Sequence, residues 1–149
     1  MKAVTEILKE SIDNLKDALK WLDRSYAICD DLDTQQLDAE GMDAFESFTS
    51  RFARVSDILF NKVFRSIYYL EQGENAAWLD VTLFMEKKAI IDNLNQARII
   101  KETRNDIVHE YTVSNLNELF DSVNEQTPQL IEYAQNAIHY YDKLLEKLQ

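Results

Sequence analysis

The chain has 149 residues, of which 46% are apolar, and carries a formal net charge of −11 with 2 glycines, 1 proline and 1 cysteine. So acidic a chain cannot coat nucleic acid with its whole surface, and the lone Cys29 rules out an internal disulfide and fits a reducing compartment. With so little Gly and Pro to punctuate turns, the composition predicts a nearly all-helical domain spanning residues 1–149, long enough to bury roughly 68 to 70% of the surface of the unfolded chain.

The N-terminal segment is interrupted by Lys2, Glu6 and Lys9, and nowhere do 18 apolar residues run together, so we expect neither a signal peptide nor a membrane span. The expectation is a soluble cytoplasmic protein with no membrane partner. Charge is unevenly placed. Residues 1–50 hold 5 basic and 12 acidic groups and residues 110–149 hold 2 and 7, whereas residues 51–109 hold 9 and 8. An anionic substrate would therefore meet the middle of the chain.

Periodicity divides the chain into helices. Leu8, Ile12, Leu15, Leu19, Leu22, Tyr26 and Cys29 form one apolar stripe of about seven turns. Asp30 to Gly41 is polar and acidic and reads as a loop. A second helix is expected from about Asp43 to Glu71, with Phe45, Phe48, Phe52, Val55, Leu59, Val63 and Leu70 in one sector. Arg51, Arg54, Asn61, Lys62 and Arg65 occupy a separate, mostly cationic sector together with Asp57.

Gly73 and the polar Gln72 to Asn75 stop this helix, Trp78 to Asp80 start a short connector, and a third helix follows around Thr82 to Ile91. Asp92, Asn93 or Asn95 can cap a fourth helix from Leu94 to about Tyr111. Ser114 offers another cap before the short apolar face of Leu116, Leu119, Phe120 and Val123. Pro128 fits the first turn of a final helix carrying Ile131, Ala134, Ile138, Tyr141, Leu145 and Leu148. Four principal helices with short connections, or five with the connector, predict an all-α antiparallel bundle.

The fourth helix carries the one cluster with chemistry, Arg104-Asn105-Asp106-Ile107-Val108-His109-Glu110-Tyr111. It places a permanent cation, an imidazole and a phenol within eight residues. On a regular helix Arg104 and His109 are about 140° apart and cannot share a face, whereas Arg104, Val108 and Tyr111 do, and His109 lies over Asn105. One phosphate can meet both groups in two ways: the helix breaks near its end, or two copies face each other across a two-fold axis.

Other chemistries fail on residue supply. A carboxylate-bridged dimetal bundle needs two Glu-x-x-His motifs, but the chain offers only Asp106-x-x-His109 and Asn136-x-x-His139. Gly41 and Gly73 are isolated and make no phosphate loop, and one Cys with two His is too few for zinc. A phosphotransfer bundle with an exposed His109 would want Lys-Gly after the histidine, where Glu110-Tyr111 stand. His139 and Cys29 read as structural. No metal or cofactor is expected.

The spacing Arg104-x4-His109-x-Tyr111, with the polar Asn105 after the Arg, resembles the signature of the HEPN (higher-eukaryote and prokaryote nucleotide-binding) domains, and more narrowly the HepT-type toxins of toxin-antitoxin pairs. Arg51-Phe52-Ala53-Arg54-Val55-Ser56-Asp57 also looks like the second-helix segment of one branch of that family. The resemblance implies a metal-independent endoribonuclease, acting on tRNA or mRNA as a homodimer joined through the motif-bearing helix. It assigns proton transfer at a ribose 2′-hydroxyl to His109 and the scissile phosphate to Arg104, with Asn105 orienting His109 or binding phosphate. Tyr111 would be where a partner minimal nucleotidyltransferase attaches AMP and silences the site. Arg51, Arg54, Lys62 and Lys101 are candidate contacts for RNA or the partner, or simply solvated charge. The alternative is a non-catalytic module that presents a substrate to the nucleotidyltransferase.

Overall fold

In a computed structural model that describes residues 2–109 and 115–148, the predicted stripe of Leu8, Ile12, Leu15, Leu19, Leu22 and Cys29 faces the core along one helix, α1 (Lys2–Cys29). Tyr26, the weakest member, is half-buried against Phe48. After a loop tied to a later helix by Thr34, whose hydroxyl donates to Asp121 Oδ1 at 2.7 Å, α2 (Ala39–Asp57) begins.

It begins four residues earlier than the expected Asp43, because Asp38 extends its backbone and accepts the Gly41 N–H at 2.8 Å. Gly41 stands at a close approach there. A Cβ on it would stand 3.1 Å from Leu37 Cδ2 and 3.2 Å from Asp38 Oδ1, disturbing both the cap and the Leu37 packing.

The second helix contains a feature that periodicity did not announce. Ile58–Val63 is a π-helical segment, followed without a break by α3 (Phe64–Gln72), so residues 39–72 form one rod. A π turn inserts one extra residue and rotates everything downstream by about 100°. The buried stripe moves accordingly, from Phe45, Phe48, Phe52, Val55 and Leu59 to Phe60, Val63, Phe64 and Ile67. Leu70, which a straight helix would bury, is only half-buried. The rod ends at Gly73, whose φ of 75° is left-handed and whose N–H bonds Tyr69 O at 2.8 Å.

Helix α4 (Trp78–Lys87) takes in the residues expected to form a connector and stops before Ile91. Trp78 anchors its start by packing on Phe60 at 6.1 Å, and the Thr82 hydroxyl bonds Trp78 O at 2.6 Å. Its end turns through Ala89 at φ 59°, where the Ile90 N–H reaches back to Met85 O at 3.0 Å. That turn drops Ile90 and Ile91 into the core although neither is helical. Of the three candidate caps, Asn93 caps α5 (Leu94–Val108), accepting the Gln96 N–H at 3.1 Å.

The expected break at Pro128 is absent, and α6 (Leu116–Leu148) runs straight through it. Proline in a helix interior costs about 3 kcal/mol or more. Against this stand Leu119, Phe120, Val123, Thr127, Leu130 and Tyr133, all buried on one continuous face. Each large apolar side chain among them contributes roughly 1.5 to 3 kcal/mol, so packing on both sides outweighs the lost hydrogen bond. The Ser114 cap and Tyr111, which was expected to end the fourth helix, lie outside the described residues.

The contacts fix the helix directions. The end of α1 meets the start of the rod, where Ser25 accepts from Arg51, and the start of α1 meets its end, where Val4 and Ile7 lie beside Arg65 and Tyr69. The start of α6 stacks Phe120 on Phe45 at 4.7 Å, while Tyr140 farther along bonds Glu71 at the end of the rod. Helix α5 runs opposite to both, with Arg104 reaching Asp57 and Asn93 reaching Tyr133. The chain is therefore an all-α bundle in which α1 and α5 run antiparallel to the rod and to α6, while the rod and α6 run parallel to each other across the Phe45–Phe120 contact, and the short α4 bridges the rod and α5. Composition and periodicity predict the all-α bundle, but not the parallel pair. Among the described residues no helix is long and apolar enough to cross a membrane.

Candidate functional site

Helix α5 presents three sectors. Ala97, Ile100 and Thr103 are buried, and Ile107 packs partly against the core. The opposite sector, Asn95, Arg98, Ile99, Glu102, Asp106 and His109, is exposed along its whole length. Between them runs a flank of Lys101, Arg104 and Asn105, turned toward the π segment of the rod.

Arg104 is fixed on that flank by Asp57, the last residue before the π segment. Its Nε donates to Asp57 Oδ1 at 2.6 Å and Nη2 to Oδ2 at 3.1 Å, a bidentate pair that is the one ion pair among the described residues. The side chains are 29% and 40% exposed, respectively, so the pair lies at the surface. The hydrogen bond to Asp57 holds the guanidinium proton more firmly than usual, with partial burial opposing it. Nη1 donates to Asn105 Oδ1 at 3.3 Å. Three of the five guanidinium N–H groups are thus engaged, and two remain, one on Nη1 and one on Nη2, as donors for an anion.

His109 ends the helix. Its φ and ψ of −81° and 135° are extended, yet its N–H still closes the last turn on Asn105 O at 2.8 Å. That bond keeps the His109 Cα in helical register, so the break comes too late to turn the imidazole toward Arg104, and the two side chains point apart. The imidazole is exposed. Asn105 links the two: its side chain holds Arg104 and its carbonyl holds the His109 backbone. Tyr111, the remaining member of the sequence cluster, lies outside the described residues.

The other cations separate. Arg51 donates to Ser25 Oγ at 2.7 Å and lies 5.2 Å over the Trp21 ring, with Arg54 beside the same ring. Lys62 borders a different groove with Arg65, and Arg65 donates to Ala76 O at 2.8 Å. Lys101 alone joins Arg104, its Nζ standing 4.5 Å over the Trp78 ring. The cationic sector read from the second helix is therefore distributed over distinct grooves, because the π segment and the α1 contacts divide it.

Sequence reasoning did not identify Asp57 as the partner of Arg104, nor the cleft that Phe60, Asn61 and Trp78 form beside it. The signal was slight: one carboxylate in an otherwise cationic sector. The remaining reactive groups stay apart from this site. Cys29 is fully buried, which pushes its thiol up to about 11, and His139 is exposed on α6. Compared with known proteins, the chain matches no family model, no curated protein and no solved structure.

Proposed function

We propose that this chain is a metal-independent endoribonuclease of the HEPN type, a toxin that acts as a homodimer and is silenced by transfer of AMP to Tyr111 from a partner nucleotidyltransferase. The observation that carries this reading is the linked trio: Arg104 held with donors to spare, Asn105 joining it to the helix end, and His109 exposed there. His109 takes the proton of a ribose 2′-hydroxyl, O2′ bonds phosphorus, the bond to O5′ breaks and O5′ receives a proton. A 2′,3′-cyclic phosphate remains. Arg104 holds the charge that builds on the phosphate oxygens. Because the two side chains diverge within one protomer, Arg104 of one copy serves with His109 of the other. The exposed α5 face is the surface for that pairing, with Ile99 43% exposed at its middle and charges of both signs around it.

The test is purified protein with tRNA or mRNA in EDTA, beside His109→Ala, Arg104→Ala and Ile99→Asp. We expect cleavage by the wild type alone, with Ile99→Asp sedimenting as a monomer. Equal cleavage by all four proteins, or none by the wild type, refutes the nuclease. Co-expression with the nucleotidyltransferase should add AMP mass to the wild type and none to Tyr111→Phe. A second reading, a non-catalytic module presenting substrate to that enzyme, is favoured by the Arg104–Asp57 pair, since a guanidinium already neutralised by a carboxylate is a weaker phosphate ligand. AMP transfer without RNA cleavage would decide for it.

A further inference from the structure

Between the π segment and α5 lies a cleft of about 160 Å³, whose lining includes the paired Asp57 and Arg104 together with Phe60, Asn61, Trp78 and Lys101. The volume sets the size of an occupant. It is close to the roughly 150 Å³ of an engineered cavity that accepts one benzene ring, so it suits a single heterocycle, with any attached sugar and phosphate lying on its solvent side. The lining sets the chemistry. Trp78 is half-buried and backed by Phe60, with ring planes 31° apart, which gives an aromatic platform at the edge of solvent. Asn61 is exposed at the rim and brings one carbonyl and two N–H donors. The ammonium of Lys101 rests over the Trp78 ring at the end of a flexible stem.

A planar base competes well for that ring, since stacking of a base on an aromatic is stronger than a solvent-exposed cation–π contact. Lys101 displaced from the ring has a phosphate to meet, because the Arg104 fork lines the same cleft. We infer that this cleft is a base-binding subsite for the nucleotide whose phosphate Arg104 holds: a pyrimidine ring stacks on Trp78, Asn61 reads its edge, and Lys101 moves from the ring to the phosphate. The inference rests on the reading of the chain as a protein that engages RNA, and it adds that the cleft selects a pyrimidine at the cleavage step.

The chain has two tryptophans, Trp21 and Trp78, so Trp21→Phe leaves Trp78 as the sole reporter. Fluorescence of that variant is titrated with UMP, CMP, AMP, GMP, ribose 5-phosphate and inorganic phosphate. Saturable quenching by UMP and CMP is expected, weakened about 5-fold by a further Asn61→Ala, the loss of about one hydrogen bond. Asn61 is exposed, so that substitution leaves the core intact. Equal quenching by ribose 5-phosphate or inorganic phosphate overturns base stacking, and quenching by AMP and GMP without UMP or CMP overturns the size argument. RNA cleavage without any quenching overturns the subsite and leaves the nuclease. Pyrimidine quenching without cleavage does the reverse.

Discussion

Replacing Asp57 separates two roles that one carboxylate can play beside Arg104. The pair is bidentate but lies at the surface, so removing it costs stability no more than about 1 kcal/mol, which for this length is a Tm shift of roughly 2–4 °C. Its larger effect is on order. An arginine side chain carries about 2 kcal/mol of rotamer entropy, and with Nε and Nη2 bound to Asp57 much of that is lost before substrate arrives. If half to all of it must instead be supplied during reaction, the rate falls about 5- to 30-fold. On the proposed nuclease reading, Asp57→Ala should therefore lower kcat for RNA cleavage by about that factor. KM should change less, and Asp57→Asn, which keeps one hydrogen-bonding oxygen, should fall between. Cleavage rates across an RNA concentration series give both constants, and thermal unfolding followed by circular dichroism gives the stability. The orientation argument fails if Asp57→Ala cleaves faster than the wild type, because the carboxylate would then be a competitor of the phosphate.

Ala89 sits in the left-handed region at φ 59° and is exposed, so Ala89→Gly should relieve its strain and raise stability by about 0.5–1 kcal/mol, read from the denaturant midpoint; a lowered midpoint would contradict the backbone assignment. Alkali should destabilise the fold through its tyrosines. Burial first, and then the hydrogen bond to Asp92 at 2.5 Å, raise the Tyr133 phenol above its ordinary value; burial first, and then Glu71, do the same for Tyr140. Above pH about 10 the unfolded chain releases these protons while the folded chain keeps them, so stability is full below that pH and declines above it until the folded phenols ionise. Tyr133→Phe should be less stable than the wild type at pH 7 by roughly 1–2 kcal/mol and lose less between pH 10 and 11. Parallel losses in the two proteins would remove Tyr133 from that account.

The sequence by itself determined that this protein is helical, where its first helix buries its stripe, and which short segment is the candidate for chemistry. These follow from local properties: the scarcity of Gly and Pro, a 3.6-residue period, and residue types at fixed spacing along one helix. It also determined that Arg104 and His109 diverge, since helix geometry is the same in any tertiary setting. What tertiary packing decided is of another kind. The π segment exists because the rod must bury Phe45 to Leu59 on one line and Phe60 to Ile67 on another, and no period along the chain records that shift. Pro128 stays inside α6 because buried side chains on both sides outweigh one lost backbone bond, a comparison that no local rule can make. The pairing of Arg104 with Asp57, 47 residues apart, and the cleft beneath Trp78 arise because α5 packs against the shifted part of the rod. Only the folded chain brings those surfaces together.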